Sequence, residues 1–152
     1  MAVTLEPIGH VRGGRDQPID DDWGQSRARL VLDARFTPDA LAGLDAFSHA
    51  EVIFLFDRVP DDKIETGARR PRGRADWPLV GIFAQRGKNR PNRLGVTVCR
   101  IVSVRGLEVE VEGLDAIDGT PIMDIKPVLS GFLPRGEVRE PDWAQTIMRD
   151  YW

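Results

Sequence analysis

LGVTVCRIVSVRGLEVEVE, residues 94–112, reads as two strands and the turn between them. Beyond Arg105-Gly106, Leu107, Val109 and Val111 alternate with Glu108, Glu110 and Glu112, and the stretch before the turn is rich in β-branched residues. Period 2 is the spacing of a sheet buried on one face, so the segment is predicted to be a hairpin with an acidic outer face. Cys99, the one cysteine of the chain, falls inside this pattern. One thiol builds neither a disulfide nor a thiolate cluster; a packed side chain is the plainer role, and no metal site is expected.

Outward from the hairpin the same signals recur. From Ser26 to Phe36, Ala28, Leu30, Leu32, Ala34 and Phe36 share one face while Arg27, Arg29, Asp33 and Arg35 share the other, which predicts a half-buried strand. Thr37 suits an N-cap and Pro38 a first helical position, so one or two helical turns should follow through Leu41 and Leu44. Val52 to Phe56 is continuously apolar, as in a strand covered on both faces. Further strands are expected at Leu79–Ala84 and Pro121–Val128. Between Arg58 and Pro78 periodicity gives way to Pro, Gly, Asp and Arg, predicting a mobile loop with little core of its own. Behind Pro141, Trp143, Ile147 and Tyr151 recur every four residues with Ala144 and Met148 beside them, an amphipathic C-terminal helix. Many short strands and few helices indicate a mainly β fold, an antiparallel sheet or barrel. No G-x-G-x-x-G follows a strand, which argues against a Rossmann site.

The length of 152 residues, with 41% hydrophobic and 30% charged, suits one domain over 1–152 with one core. No apolar run of about 18 residues appears and the N-terminus lacks a secretory pattern, so a cytoplasmic protein without a membrane segment is expected. The net charge of −3 hides an asymmetry: residues 67–100 hold nine Arg or Lys against Asp76 alone, so that segment carries +8 and the remainder −11. A basic segment on an acidic body is what a phosphate-rich partner needs, though a solvated loop of arginines would look the same.

Two segments are unlike ordinary scaffold. GIFAQRGKNRPNRLGV, residues 81–96, is a strand running into a loop with four basic residues and two Asn; Arg86 and Arg90 can fork onto a carboxylate or phosphate, and Asn89 or Asn92 can pair with an adenine edge or a backbone group. GLDAIDGTPIMDIKP, residues 113–127, sets Asp115, Asp118, Asp124 and Lys126 among apolar residues. Asp118 begins a tight-turn sequence, where an Asx turn is the bland role. Asp124 and Lys126 share one strand face and can form an ion pair or anchor a polar ligand.

Both segments are similar to patterns of the TrmO/YaeB-like (TsaA-like) family, G-[IV]-F-A-x-R-[SG]-x-x-R-P-N-P-[IL]-G and G-L-D-x-x-D-G-[ST]-P-[VL]-x-D-I-K-P. A third, LAGLDAFSHAEVIFLF at 41–56, resembles its G-[LI]-x-x-F-S-H block and carries Ser48 and His49. The resemblance implies a β-barrel-like fold of antiparallel strands and S-adenosyl-L-methionine as methyl donor. It also implies a homodimer and, as acceptor, N6 of threonylcarbamoyl-adenosine beside the tRNA anticodon. Transfer from a sulfonium requires mainly positioning, while an amine bearing a carbonyl substituent is a poor nucleophile that benefits from a base. On that basis His49 and Asp118 are the catalytic candidates. Arg86, Arg90, Pro91, Asn92, Asp118, Asp124 and Lys126 are the candidates for the cofactor, and Arg69, Arg70, Arg72, Arg74, Lys88 and Arg93 for tRNA.

Arg93 departs from the family proline, and the chain stops at Trp152 without the C-terminal extension of longer members; Arg69 to Arg74 are expected to replace part of that surface. Methylation of a small metabolite or another nucleoside, and a non-catalytic S-adenosylmethionine- or RNA-binding module, remain open alternatives.

Overall fold

Eight strands carry the chain: β1 (Gly9–Arg12), β2 (Arg27–Leu32), β3 (His49–Leu55), β4 (Ala68–Arg69), β5 (Val80–Gly81), β6 (Leu94–Arg105), β7 (Glu108–Glu112) and β8 (Pro121–Pro127). In this computed structural model, which describes residues 1–152, six of them close an antiparallel barrel in the order β1, β2, β7, β6, β3, β8, with β8 paired back to β1. Closure satisfies the backbone groups that an edge strand would leave open.

The barrel interior collects one side of every strand. Val11, Leu30, Val52, Phe54, Val109, Val111 and Ile122 are all buried there. The 94–112 hairpin forms as its alternation predicts, with Val104 opposite Val109 and an irregularity between Ile101 and Ser103. Its acidic outer face meets arginines: Glu112 accepts from Arg27 at 2.9 Å and from Arg100 at 3.0 Å, and Glu108 from Arg29 at 3.1 Å. Gly95 lies beneath a ring of the core. A Cβ there would come within 2.6 Å of Phe54.

Four expectations need correction. β2 stops at Leu32, because the Asp33 N–H donates to Ile8 and the Phe36 N–H turns back to the Asp33 carbonyl. β3 is not covered on both faces: Ala50, Val52 and Phe54 are buried while Ile53 and Leu55 are half-buried, since a barrel has only one interior. The expected strand at 79–84 is two residues long and passes into a 3-10 turn at Ile82–Ala84. The helix at the C-terminus, α1 (Asp142–Ile147), is shorter than its stripe, and Tyr151 lies beyond it with another partner.

The 58–78 stretch has more internal order than its composition suggests. β4 pairs with β5, Val59 and Trp77 are buried, and the buried Gln85 amide donates to the carbonyls of Arg69 (2.8 Å) and Val80 (3.0 Å). Anchors at irregular spacing hold it, so no period announces it. The helical turns expected after Thr37 are present as 3-10 turns at Pro38–Leu41 and Leu44–Ala46. No helix is long and apolar enough to cross a membrane.

Candidate functional site

A cavity of about 470 Å³ opens where the ends of β2 and β8 meet the 36–47 segment. Its walls are Ile8, Leu32, Phe36, Leu41, Leu44, Phe47, Ile125 and Pro127, with the small residues Ala40, Ala42 and Gly43, and Asp124 is the one charged residue among them. Two of the three motif segments therefore meet at one cavity. Asp124 pairs with Lys126 at 2.7 Å, and this bond holds the Lys126 ammonium above its usual range, with the charges of Asp124 and Glu51 adding to it. The other Asp124 oxygen accepts from the Ile125 N–H at 2.9 Å.

The remaining cofactor candidates are placed elsewhere. Arg90 donates to the Gln85 carbonyl at 2.7 Å, and Arg86 donates to the Val96 carbonyl at 2.6 Å. Pro91 and Asn92 form a 3-10 turn in which Asn92 takes φ +63°. These groups brace the 81–96 loop against itself and against β6. Asp118 accepts from the Gly13 N–H at 2.9 Å, tying the β7–β8 connection to the β1–β2 loop instead of closing an Asx turn on its own backbone. Of the seven, Asp124 lines the cavity beside the 36–47 segment.

The basic candidates divide by charge pairing. Arg72 is bonded to Asp21 (2.8 Å), Arg74 to Asp76, and Arg93 to Asp61 (3.0 Å); Arg74 also stacks 4.1 Å over Trp77. Arg69, Arg70 and Lys88 have no acidic partner. Arg70 instead donates to the Trp77 carbonyl, and the Arg69 Nε is a buried donor without an acceptor.

His49 opens β3, its Nδ1 2.7 Å from Ser48 Oγ, and faces a second, shallower cleft. This one measures about 240 Å³ and is bounded by Gly24, His49, Val98, Cys99, Arg100, Glu112, Gly113 and Trp152. Phe47 lines the larger cavity and His49 the smaller, so the Phe47-Ser48-His49 segment flanks both. Arg27 and then Arg100 hold the Glu112 carboxyl below the usual carboxylate range.

Sequence reading missed the tail. Asp22 and Trp23 donate their N–H groups to the carbonyls of Asp150 and Tyr151 at 2.9 and 2.8 Å. Tyr151 Oη donates to one Asp115 oxygen and Thr97 Oγ1 to the other. Burial, and then the Asp115 charge, push the Tyr151 phenol up. Asp115 stood in the motif, but nothing local marks Tyr151 or Trp152 as its neighbours. Cys99 is buried, its thiol pushed up to about 12 by burial and then by Asp115, which keeps it an inert packed thiol.

The family model for the tRNA-methyltransferase O N-terminal domain matches residues 13–132. The chain belongs to that family. Among TrmO relatives, the human "tRNA (adenine(37)-N6)-methyltransferase" is 32% identical over 147 residues, covering 91% of this chain and 33% of that protein. A "Probable S-adenosyl-L-methionine-binding protein" of Methanothermobacter thermautotrophicus is 30% identical over 134 residues, covering 84% of this chain and 90% of the relative. The crystal structure of TrmO from Pseudomonas aeruginosa superposes with a TM-score of 0.74 at 27% identity, covering 91% of this chain and 62% of that one. The chain thus spans one third of the human relative and under two thirds of the solved Pseudomonas TrmO. The barrel agrees with the fold expected of TrmO.

Proposed function

We propose that this protein is an S-adenosylmethionine-dependent methyltransferase acting on N6 of adenosine beside the tRNA anticodon, with threonylcarbamoyl-adenosine as the acceptor. Membership of the TrmO family and the names of its relatives support the reading. The observation that carries it is the convergence of Leu41–Phe47 and Asp124–Pro127 on one cavity with a single carboxylate. That lining fits the cofactor: apolar walls with Phe36 and Phe47 suit a flat purine, and Asp124 suits a cationic centre. Asp124 and Lys126 would hold it, Lys126 exchanging its bond to Asp124 for one to a ligand carboxylate. When bound, S-adenosylmethionine supplies an electrophilic methyl on a sulfonium.

The chain's own part is to position and to move a proton. His49 can donate Nδ1–H to Ser48 Oγ, which leaves the Nε2 lone pair to accept a proton from the acceptor amine. Arg69, Arg70 and Lys88, with charge left over, would face tRNA phosphates. The reading includes a homodimer, supported by exposed Leu94 at the start of β6 and exposed Phe83 in the turn at 82–84, and a cytoplasmic location, where tRNA resides.

The test is methyl transfer from labelled S-adenosylmethionine to tRNA lacking the modification, read by nucleoside mass spectrometry, with cofactor binding followed separately by calorimetry. Label on N6 of the modified adenosine is the expected result. No cofactor binding at millimolar concentration would overturn the reading.

A further inference from the structure

Trp152 is 54% exposed, yet the chain around it is fastened. The carbonyl of Tyr151 accepts from Trp23 at 2.8 Å, the Tyr151 hydroxyl is bonded to Asp115, and the two aromatic rings meet edge to face at 4.8 Å. A Cβ on Gly24 would stand 2.7 Å from the Trp152 carbonyl carbon, so only glycine lets the tail lie so close. An indole is thus fixed at the wall of the small cleft without being used up in packing.

We propose that the cleft between Trp152 and His49 is a nucleobase subsite, taking one unstacked base of an RNA strand. This rests on the methyltransferase reading for its biological ligand, but its chemistry stands on the cleft alone. The indole supplies a face for stacking, an interaction indifferent to base identity. Arg100 offers N–H donors and Glu112 an acceptor, joined at 3.0 Å, and together they match the mixed donor and acceptor edge of a base. His49 supplies one more ring nitrogen, since Ser48 occupies only Nδ1. The volume of about 240 Å³ is below the roughly 300–1,000 Å³ of pockets that enclose whole drug-sized ligands, which suits a single ring system. The fastened tail means that little conformational freedom is lost on binding.

The full chain is titrated with adenosine 5′-monophosphate into the millimolar range by calorimetry, a readout that survives the loss of Trp152, with ribose 5-phosphate as the probe that lacks a base. Binding of the nucleotide alone is expected. Trp152→Ala should weaken nucleotide binding at least about fivefold with S-adenosylmethionine affinity unchanged, and Trp152→Phe should recover most of the loss. No nucleotide binding, nucleotide binding indifferent to Trp152→Ala, or competition between the nucleotide and S-adenosylmethionine would each overturn the subsite. If Trp152→Ala melts early, Trp152→Phe decides: a restored melting temperature without restored affinity also overturns it. Trp152-dependent nucleotide binding in a protein with no S-adenosylmethionine affinity supports the subsite and overturns the methyltransferase reading instead.

Discussion

The hydroxyl of Tyr151 reaches a carboxylate oxygen of Asp115, 36 residues earlier in the chain, and so fastens the tail to the barrel. Because Thr97 holds the other oxygen, Asp115 is a junction between β6, the loop after β7 and the tail. Tyr151→Phe keeps the ring and deletes the donor. A hydrogen bond to a charged group is worth about 1.5–3 kcal/mol, so a loss of about 2 kcal/mol is expected in urea unfolding. An unchanged midpoint would show that the tail is held by its backbone contacts alone.

Alkaline pH should loosen the fold. The folded Cys99 thiol titrates at about 12 against an ordinary 9.0, and Tyr151 is raised in the same direction. Above the unfolded values the denatured chain releases these protons first, so stability is fully present below about pH 9 and falls as pH rises toward the folded values. Cys99→Ala should flatten the decline between pH 9 and 11 in thermal melts, though it costs some packing at neutral pH. A parallel decline in wild type and variant would remove Cys99 from the account.

Gly95 is covered by the Phe54 ring, where a Cβ would meet the ring at 2.6 Å. Overpacking of this kind costs about 1–3 kcal/mol. Gly95→Ala should lower the melting temperature, and Phe54→Leu in the same chain should return part of the loss by vacating the contact. Additive losses in the double variant would argue that the ring does not press on this position.

Charge pairing separates two sets of basic residues that composition lumped together. If tRNA is the partner, Lys88→Ala should reduce the dependence of binding on salt by somewhat under one unit of log–log slope. Arg74→Ala, whose guanidinium already serves Asp76 and Trp77, should leave that slope nearly unchanged. Filter binding across a salt series reads both, and equal slopes in the two variants would defeat the division.

How far the sequence could be read follows from where each order comes from. The 94–112 hairpin was legible because every second residue enters the interior, and the Asp124–Lys126 pair because two residues on one strand must share a face. β3 misled because Ile53 and Leu55 are apolar on the outside of the barrel. The 58–78 stretch gave no period, since buried Val59 and Trp77, the β4–β5 pairing and the Gln85 amide at the Arg69 carbonyl fix it at scattered points. The stripe of Trp143, Ile147 and Tyr151 looked like one helix, but the hydrogen bond to Asp115 and the backbone bonds to Asp22 and Trp23 hold the last residues elsewhere. His49 and Trp152 share a cleft only through the path of the whole fold, which no local spacing encodes.

The barrel is tied unevenly around its circumference. β3 and β6 are in register over seven pairs, whereas β8 pairs with β1 at Gly9 with Ile122 and His10 with Pro121, flanked by backbone bonds from Ile8 to Ile122, from Val11 to Thr120 and from Gly119 to Val11. The ring therefore has a clasp, and the cavity bordered by Ile8, Leu32 and Asp124 lies next to it. Transient opening of this short seam costs far less than melting a barrel. A molecule entering or leaving beside the clasp can use that breathing, and one that stays there would in turn keep the ring shut.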